Sequence, residues 1–418
     1  MADSPTTGAA TGPVSPLPGA FRRIAAALAY PDFRKLWFGA ATSSIGTWMQ
    51  SVAQNWLVLT LTGSAFYLGL DAFLGQLPIM LFTLIGGVVA DRYDRRRVLL
   101  TSQYVQMSTA FALAALVYLD VVHVWHVLAL SFVTGCAQAF GGPAYQSLMP
   151  ALVPTDRLPN AIALNSIQFN LARVVGPLLA GIALATLGSV FCFAMNGLSF
   201  LAVIAALLSL NVPDRVIPAR QPLVTELGGG LRYVRRDSAL LGLTLLSFAA
   251  TFLGTPLLTL LPVFAQDVLQ GGVGRYSQMM AYSGAGAVTG AIVVAWLGRF
   301  PRMASWALGV QVVFGALIVL FAISRVPVIS NLLLFAGGAA LIVVFSLMIS
   351  LVQLIAPNEM RGRVMSIYMV AFRGGMPLGS LASGYLANLT SAPTALVING
   401  ILLMGVGLGF LLGYKKLR

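Results

Sequence analysis

The sequence predicts an all-α membrane protein, and three observations predict it. Of 418 residues, 58% are hydrophobic and only 9% are charged; mean hydropathy is +0.88; and the charges gather in short runs between long apolar stretches. A water-facing fold of this length needs more polar surface than such a composition supplies, whereas a bilayer-embedded bundle needs apolar residues on its outside as well. A helix crosses about 30 Å of hydrocarbon with roughly 20 residues. Apolar segments of that length can be centred on Val58, Leu77, Ala110, Phe132, Val174, Leu201, Leu253, Gly290, Val312, Leu341, Leu378 and Leu402, which predicts twelve spans.

Taken in order, residues 1–20 are rich in Pro, Gly, Ser and Thr and lack the basic segment and cleavage site of a signal peptide. Residues 1–31 are therefore expected to be a disordered or interfacial tail. Spans 1 to 6 fill residues 32–210, a polar interruption occupies 211–238, and spans 7 to 12 fill 239–418. Within the interruption, Leu223 to Asp237 carries Arg232, Arg235 and Arg236 and is predicted to form an amphipathic helix on the inner membrane surface. All but four of the 25 Lys and Arg residues lie in segments on one side of the alternating spans. The exceptions are Arg275 and Arg325 in outer loops and Arg173 and Arg373 inside spans. The positive-inside rule then places both termini in the cytoplasm.

Net charge is +13, yet the basic residues are spread over separate short loops and no reading motif accompanies them, so no nucleic-acid partner is expected. Cys136 and Cys192 fall inside spans without companions at ligand spacing, and His123 and His126 lie together in an outer loop. Neither pair predicts a metal site or cofactor.

The densest charge is the run Gly87-Val-Val-Ala-Asp91-Arg92-Tyr-Asp94-Arg95-Arg96-Arg97 between spans 2 and 3. A faded counterpart, Gly298-Arg299-Phe-Pro-Arg302, stands between spans 8 and 9. Val153-Pro-Thr-Asp156 is echoed by Ala356-Pro-Asn-Glu359, and Arg173-x3-Pro177 by Arg373-x3-Pro377. The halves read as a parallel duplication, which predicts two six-helix bundles with a site between them near the midplane.

Twelve spans in two halves, with Gly87-x3-Asp91-Arg92 and Arg96-Arg97 in register, resemble the major facilitator superfamily, whose signature is G-x3-D-R-x-G-x-R-R. Asp94 replaces the second glycine of that signature. The strings Asn160-Ala-Ile-Ala-Leu-Asn165-Ser and Met360-Arg-Gly-Arg363-Val-Met-Ser are similar to the bacterial exporter branch that includes the enterobactin exporter. The resemblance implies a secondary transporter working by alternating access. It also implies a conformational latch at Gly87, Asp91, Arg92, Arg96 and Arg97, in which Asp91 pairs with Arg96 or caps the helix of span 11 in the other half. The same arginines would also enforce topology. Ala172-x3-Gly176-Pro177-x2-Ala180-Gly181 in span 5 resembles the antiporter string of the superfamily, with alanine at two glycine positions, and implies export.

Asp71, Arg173 and Arg373 are expensive inside spans, each at about 2.5 to 3.5 kcal/mol on insertion scales. Asp71 is the candidate for proton coupling; the alternative, favoured because span 2 of the superfamily lies between the halves, is an outer-mouth residue wetted by a vestibule. The arginines read either as anion-binding groups or as partners of helix carbonyls at a kink, the latter favoured for Arg173. The superfamily lines its path with spans 1, 4, 7 and 10. Polar residues recur there at helical spacing, and Gln50, Gln54, Gln138, Tyr145, Thr255 and Gln353 join Arg173 and Arg373 as cavity candidates. No nucleophile–base pair or nucleotide-binding loop is present, so the chain is not expected to be an enzyme. The expectation is a monomeric, proton-coupled exporter of a small lipophilic or anionic molecule such as a drug or siderophore. A lysophospholipid flippase, or a sensor on the same scaffold, is the alternative.

Overall fold

A computed structural model describes residues 25–210, 223–298 and 300–413, with the side chains of Ala25, Leu84, Asp91 and 223–228 outside that description. Residues 1–24 of the expected tail lie outside the described residues; its last part is ordered, Ala25–Ala29 forming a 3-10 helix with Ala27 fully buried and the first long helix beginning at Pro31. Among those described, every regular element is helical.

The first half contains α1 (Pro31–Thr62), α2 (Ala65–Arg92), α3 (Arg95–Tyr118), α4 (Val124–Leu148), α5 (Leu158–Thr186) and α6 (Gly188–Leu208). The linker helix is α7 (Leu223–Arg236). The second half contains α8 (Ser238–Gly254), α9 (Gly272–Leu297), α10 (Met303–Ile323), α11 (Pro327–Ile355), α12 (Arg361–Leu389) and α13 (Ala392–Gly413). Among the described residues, nine helices are long and apolar enough to cross a membrane. Those lacking the required apolarity are α1, α3 and α12. Their length is sufficient, but Ser43, Thr47 and Gln50 in α1, Ser102 and Gln106 in α3, and Arg373 and Ser380 in α12 dilute it.

Local chemistry sets the ends. Pro31 opens α1 at a position where its missing N–H costs nothing. Gly63 closes it in the left-handed region (φ 58°), its N–H bonding Leu59 O at 2.7 Å. The sequence reading centred the first span on Val58, but the helix runs Pro31–Thr62; the polar stripe of its first half hid that half from an apolarity count. Asp237 caps α8 by accepting from the amides of Ala239 and Leu240 at 2.9 and 3.1 Å. Beyond Gly254 the same rod is broken at Pro256 and Pro262 and ends in a π turn, Phe264–Val268.

Two helix pairs join the halves. α2 lies against α12, and α5 against α9. Close approach needs small residues where helices meet without a hydrophobic driving force. A side chain on Gly69 would strike the Ser380 carbonyl and Gly384 Cα, and one on Gly181 would strike Ser277. Large apolar side chains such as Ile182, Trp296, Val328 and Ile401 are left exposed around the outside, as a lipid-facing surface requires.

Candidate functional site

The molecule has a basic end, where α2 finishes at Arg92, α3 begins with Arg95–Arg97, and α12 begins with Arg361 and Arg363. The contacts between the halves concentrate at the opposite end. Asn55 Nδ2 donates to Tyr276 Oη at 3.0 Å and Ser64 Oγ donates to Asn388 Oδ1 at 2.8 Å. Trp56 stacks near Tyr276, with centroids 6.4 Å apart, and Phe66 meets Tyr385 edge-on at 6.3 Å. Toward the basic end, a side chain on Gly87 or Gly362 would meet no described atom of another helix within 4 Å.

Asp71 sits two turns into α2 and is 5% exposed. Its Oδ1 accepts from Ser131 Oγ of α4, and its Oδ2 accepts from Gln54 Nε2 of α1 at 2.9 Å. The same Gln54 nitrogen donates to Ser131 Oγ at 2.8 Å. The result is a closed ring of three side chains from three helices of one half. It is not a wetted outer-mouth residue in this state. One turn along α1, Gln50 Oε1 accepts from Asn196 Nδ2 of α6 at 2.6 Å. Asn196 was not selected from the sequence, although an amide in one of the most apolar spans was the available signal.

The remaining polar candidates divide. Tyr145 Oη donates to Asn165 Oδ1 at 2.9 Å, bridging α4 and α5. Thr255 is buried and donates to its own helix at Thr251 O, 2.6 Å away. Gln138 is half-buried on α4, and Gln353 is exposed at the basic end of α11. The structure thus brings Gln54 to Asp71 but does not gather the other candidates around one point.

The two arginines differ. The Arg173 guanidinium lies 5.8 Å from the Trp48 ring centre on α1, a cation–π contact inside the first half. Its carbonyl occupies the place that a side chain on Gly284 would take. Arg373 is exposed on α12, with no ion pair or hydrogen bond among the described residues. In the antiporter-like string, Gly176 lets α5 touch the α1 backbone at Ile45 and Met49, Pro177 is buried beside it, and Gly181 admits Ser277 of α9. The string therefore lies on both α5 interfaces.

At the basic run, the Asp91 carboxylate lies outside the described residues. Arg96 Nη2 donates to Leu208 O at 2.6 Å, holding the end of α6. Arg95, which was not selected from the sequence, donates to Ala90 O and Ser147 O at 3.4 and 3.2 Å and braces the ends of α2 and α4. A cation on a helix C-terminus is favourable on dipole grounds. Arg97 pairs with Asp94 at 3.4 Å and both are largely exposed, so this bridge stabilises little. Arg92 is exposed.

The family model described as transmembrane secretion effector matches residues 24–416. The staphyloferrin A transporter of Staphylococcus aureus is 24% identical, over 90% of this chain and 94% of its own. The multidrug efflux pump Tap of Mycolicibacterium fortuitum is 27% identical, over 91% of this chain and 95% of its own. Among solved structures, an inward-facing, unoccupied bacterial homologue of the human lysosomal transporter Spinster superposes with a TM-score of 0.74 at 14% identity, covering 93% of this chain and 98% of that one. That likeness shows the fold.

Proposed function

The chain belongs to the transmembrane secretion effector family of major facilitator transporters, and we propose that it is a proton-coupled exporter of small lipophilic or anionic molecules in the bacterial inner membrane. One observation carries the reading: two helix pairs, α2 with α12 and α5 with α9, join the halves, and the side-chain bonds and ring contacts between those halves, Asn55 to Tyr276, Ser64 to Asn388, Trp56 to Tyr276 and Phe66 to Tyr385, lie at the end opposite the basic run. A transporter that alternates access needs two such ends of which only one is closed at a time. With the basic end cytoplasmic, as the charge bias supports, the described arrangement is inward-open and awaits substrate from the cell.

Proton coupling rests on Asp71. An acid inside a span marks an ion or proton pathway by default. It lies six residues from the start of α2, about 9 Å along the axis, beneath the fastened end. Parting of that end brings the carboxylate to the outer medium, where it takes a proton; closing returns the proton inward as substrate leaves. Efflux by relatives named for multidrug and macrolide export supports the direction.

The test is efflux of a fluorescent lipophilic dye from expressing cells. Wild-type efflux is expected to stop when a protonophore is added. Asp71→Asn is expected to lower proton-driven efflux about tenfold or more at equal expression, which is at least about 1.4 kcal/mol. Undiminished proton-driven efflux in Asp71→Asn removes Asp71 from coupling.

A further inference from the structure

α11 and α12 leave a cleft of about 150 Å³ between them, lined by Phe345, Ser346, Ile349, Tyr368, Met369 and Phe372. Its wall is largely aromatic. Phe345 meets Phe372 edge to face, with centroids 4.7 Å apart at 79°, and Phe372 lies nearly parallel to Tyr368 at 6.1 Å. Tyr368 is 1% exposed and its hydroxyl accepts from Ser247 Oγ of α8 at 3.0 Å, which fixes the ring from behind. An apolar space of roughly this volume takes one benzene-sized ring, and aromatic edges and faces favour an aromatic occupant beyond simple area burial. Met369 supplies an adaptable, polarizable floor.

Arg373 follows Met369 by one turn on the same helix face. That face continues through Ser380 and Gly384, which touch Gly69 of α2, so it is turned toward the other half. The guanidinium there is exposed, and none of the described residues provides an anion to pair with it.

We propose that the cleft and Arg373 form a subsite for an aromatic anion, one ring entering between α11 and α12 while a carboxylate on the adjoining ring pairs with the guanidinium at the mouth. This deepens the export reading and depends on it only for the direction of movement. The cleft is too small for a whole siderophore, so the substrate is a lipophilic aryl carboxylate or a larger molecule bearing such a group.

The experiment is thermal unfolding of the purified full-length protein in detergent, with naphthalene-2-carboxylate, 2-naphthylmethanol or acetate added. Naphthalene-2-carboxylate is expected to raise the midpoint with concentration, and the alcohol and acetate much less. Ser346→Trp fills the cleft and is expected to weaken both naphthyl compounds about tenfold or more, whereas Arg373→Ala weakens the carboxylate alone and abolishes the preference over the alcohol. Ile349→Ala enlarges the cleft and is expected to gain affinity for anthracene-2-carboxylate; this arm stands if the tryptophan variant does not fold. No stabilisation of the wild type by naphthalene-2-carboxylate, equal affinity in Ser346→Trp, or no gain in Ile349→Ala overturns the subsite. Binding with this pattern but without dye export in cells leaves the subsite standing and removes the export reading alone.

Discussion

Asp94 stands where the superfamily signature has a glycine, and the structure explains the exchange. Its backbone is not left-handed (φ −58°), and its carboxylate accepts from the Arg96 amide at 2.9 Å as the N-cap of α3. Caps of this kind contribute about 1 kcal/mol, and glycine in the same place loses only a few tenths. Asp94→Ala is therefore expected to lower the unfolding midpoint measurably, and Asp94→Gly to leave both midpoint and transport near wild type. A large loss in Asp94→Gly would show that the carboxylate has work beyond the cap. The arginines beside it are legible as charge, but not in their partners. Arg95 and Arg96 reach carbonyls of Ala90, Ser147 and Leu208, and no sequence spacing reports which helix ends converge on a loop.

At the scale of elements, the pairing of α2 with α12 is the contact most exposed to test. Gly69 and Gly384 exist at a backbone approach that any Cβ would obstruct. Gly69→Val is expected to cost about 1 to 3 kcal/mol in the fastened state and nothing when the outer ends part. Cross-linking of Ser64→Cys with Asn388→Cys, whose parent side chains are 2.8 Å apart, is expected to fall several-fold in the Gly69→Val background. Undiminished cross-linking would mean that the helices separate elsewhere. Element existence was readable from apolar length; the starts of α1 and the break in the rod beginning at Ser238 were less so. In α1 the polar stripe diluted the apolar signal, and in the second case Pro256 and Pro262 interrupt a stretch that remains uniformly apolar.

At the scale of the whole molecule, the latch and the orientation remain to be tested. If Asp91 holds the basic end shut in the opposite state, Asp91→Asn lowers transport at normal expression; unchanged transport sinks the latch. Arg96 Nε, buried without a hydrogen-bond partner among the described residues, is a donor available to such a rearrangement. A C-terminal tag is expected to resist protease in intact spheroplasts and to be cut in inverted vesicles, since both termini are proposed to be cytoplasmic. The sequence by itself determined the helical membrane class and the family-like signature, because apolar length, charge bias and short motifs are local properties that survive without coordinates. Only the tertiary structure decided that Asp71 closes a ring with Gln54 and Ser131, that Arg173 packs on Trp48 while Arg373 stands free of partners among the described residues, and that the halves are fastened at one end. Those facts depend on which helix faces meet. In a chain apolar on nearly every face, hydrophobic periodicity carries little information about that choice.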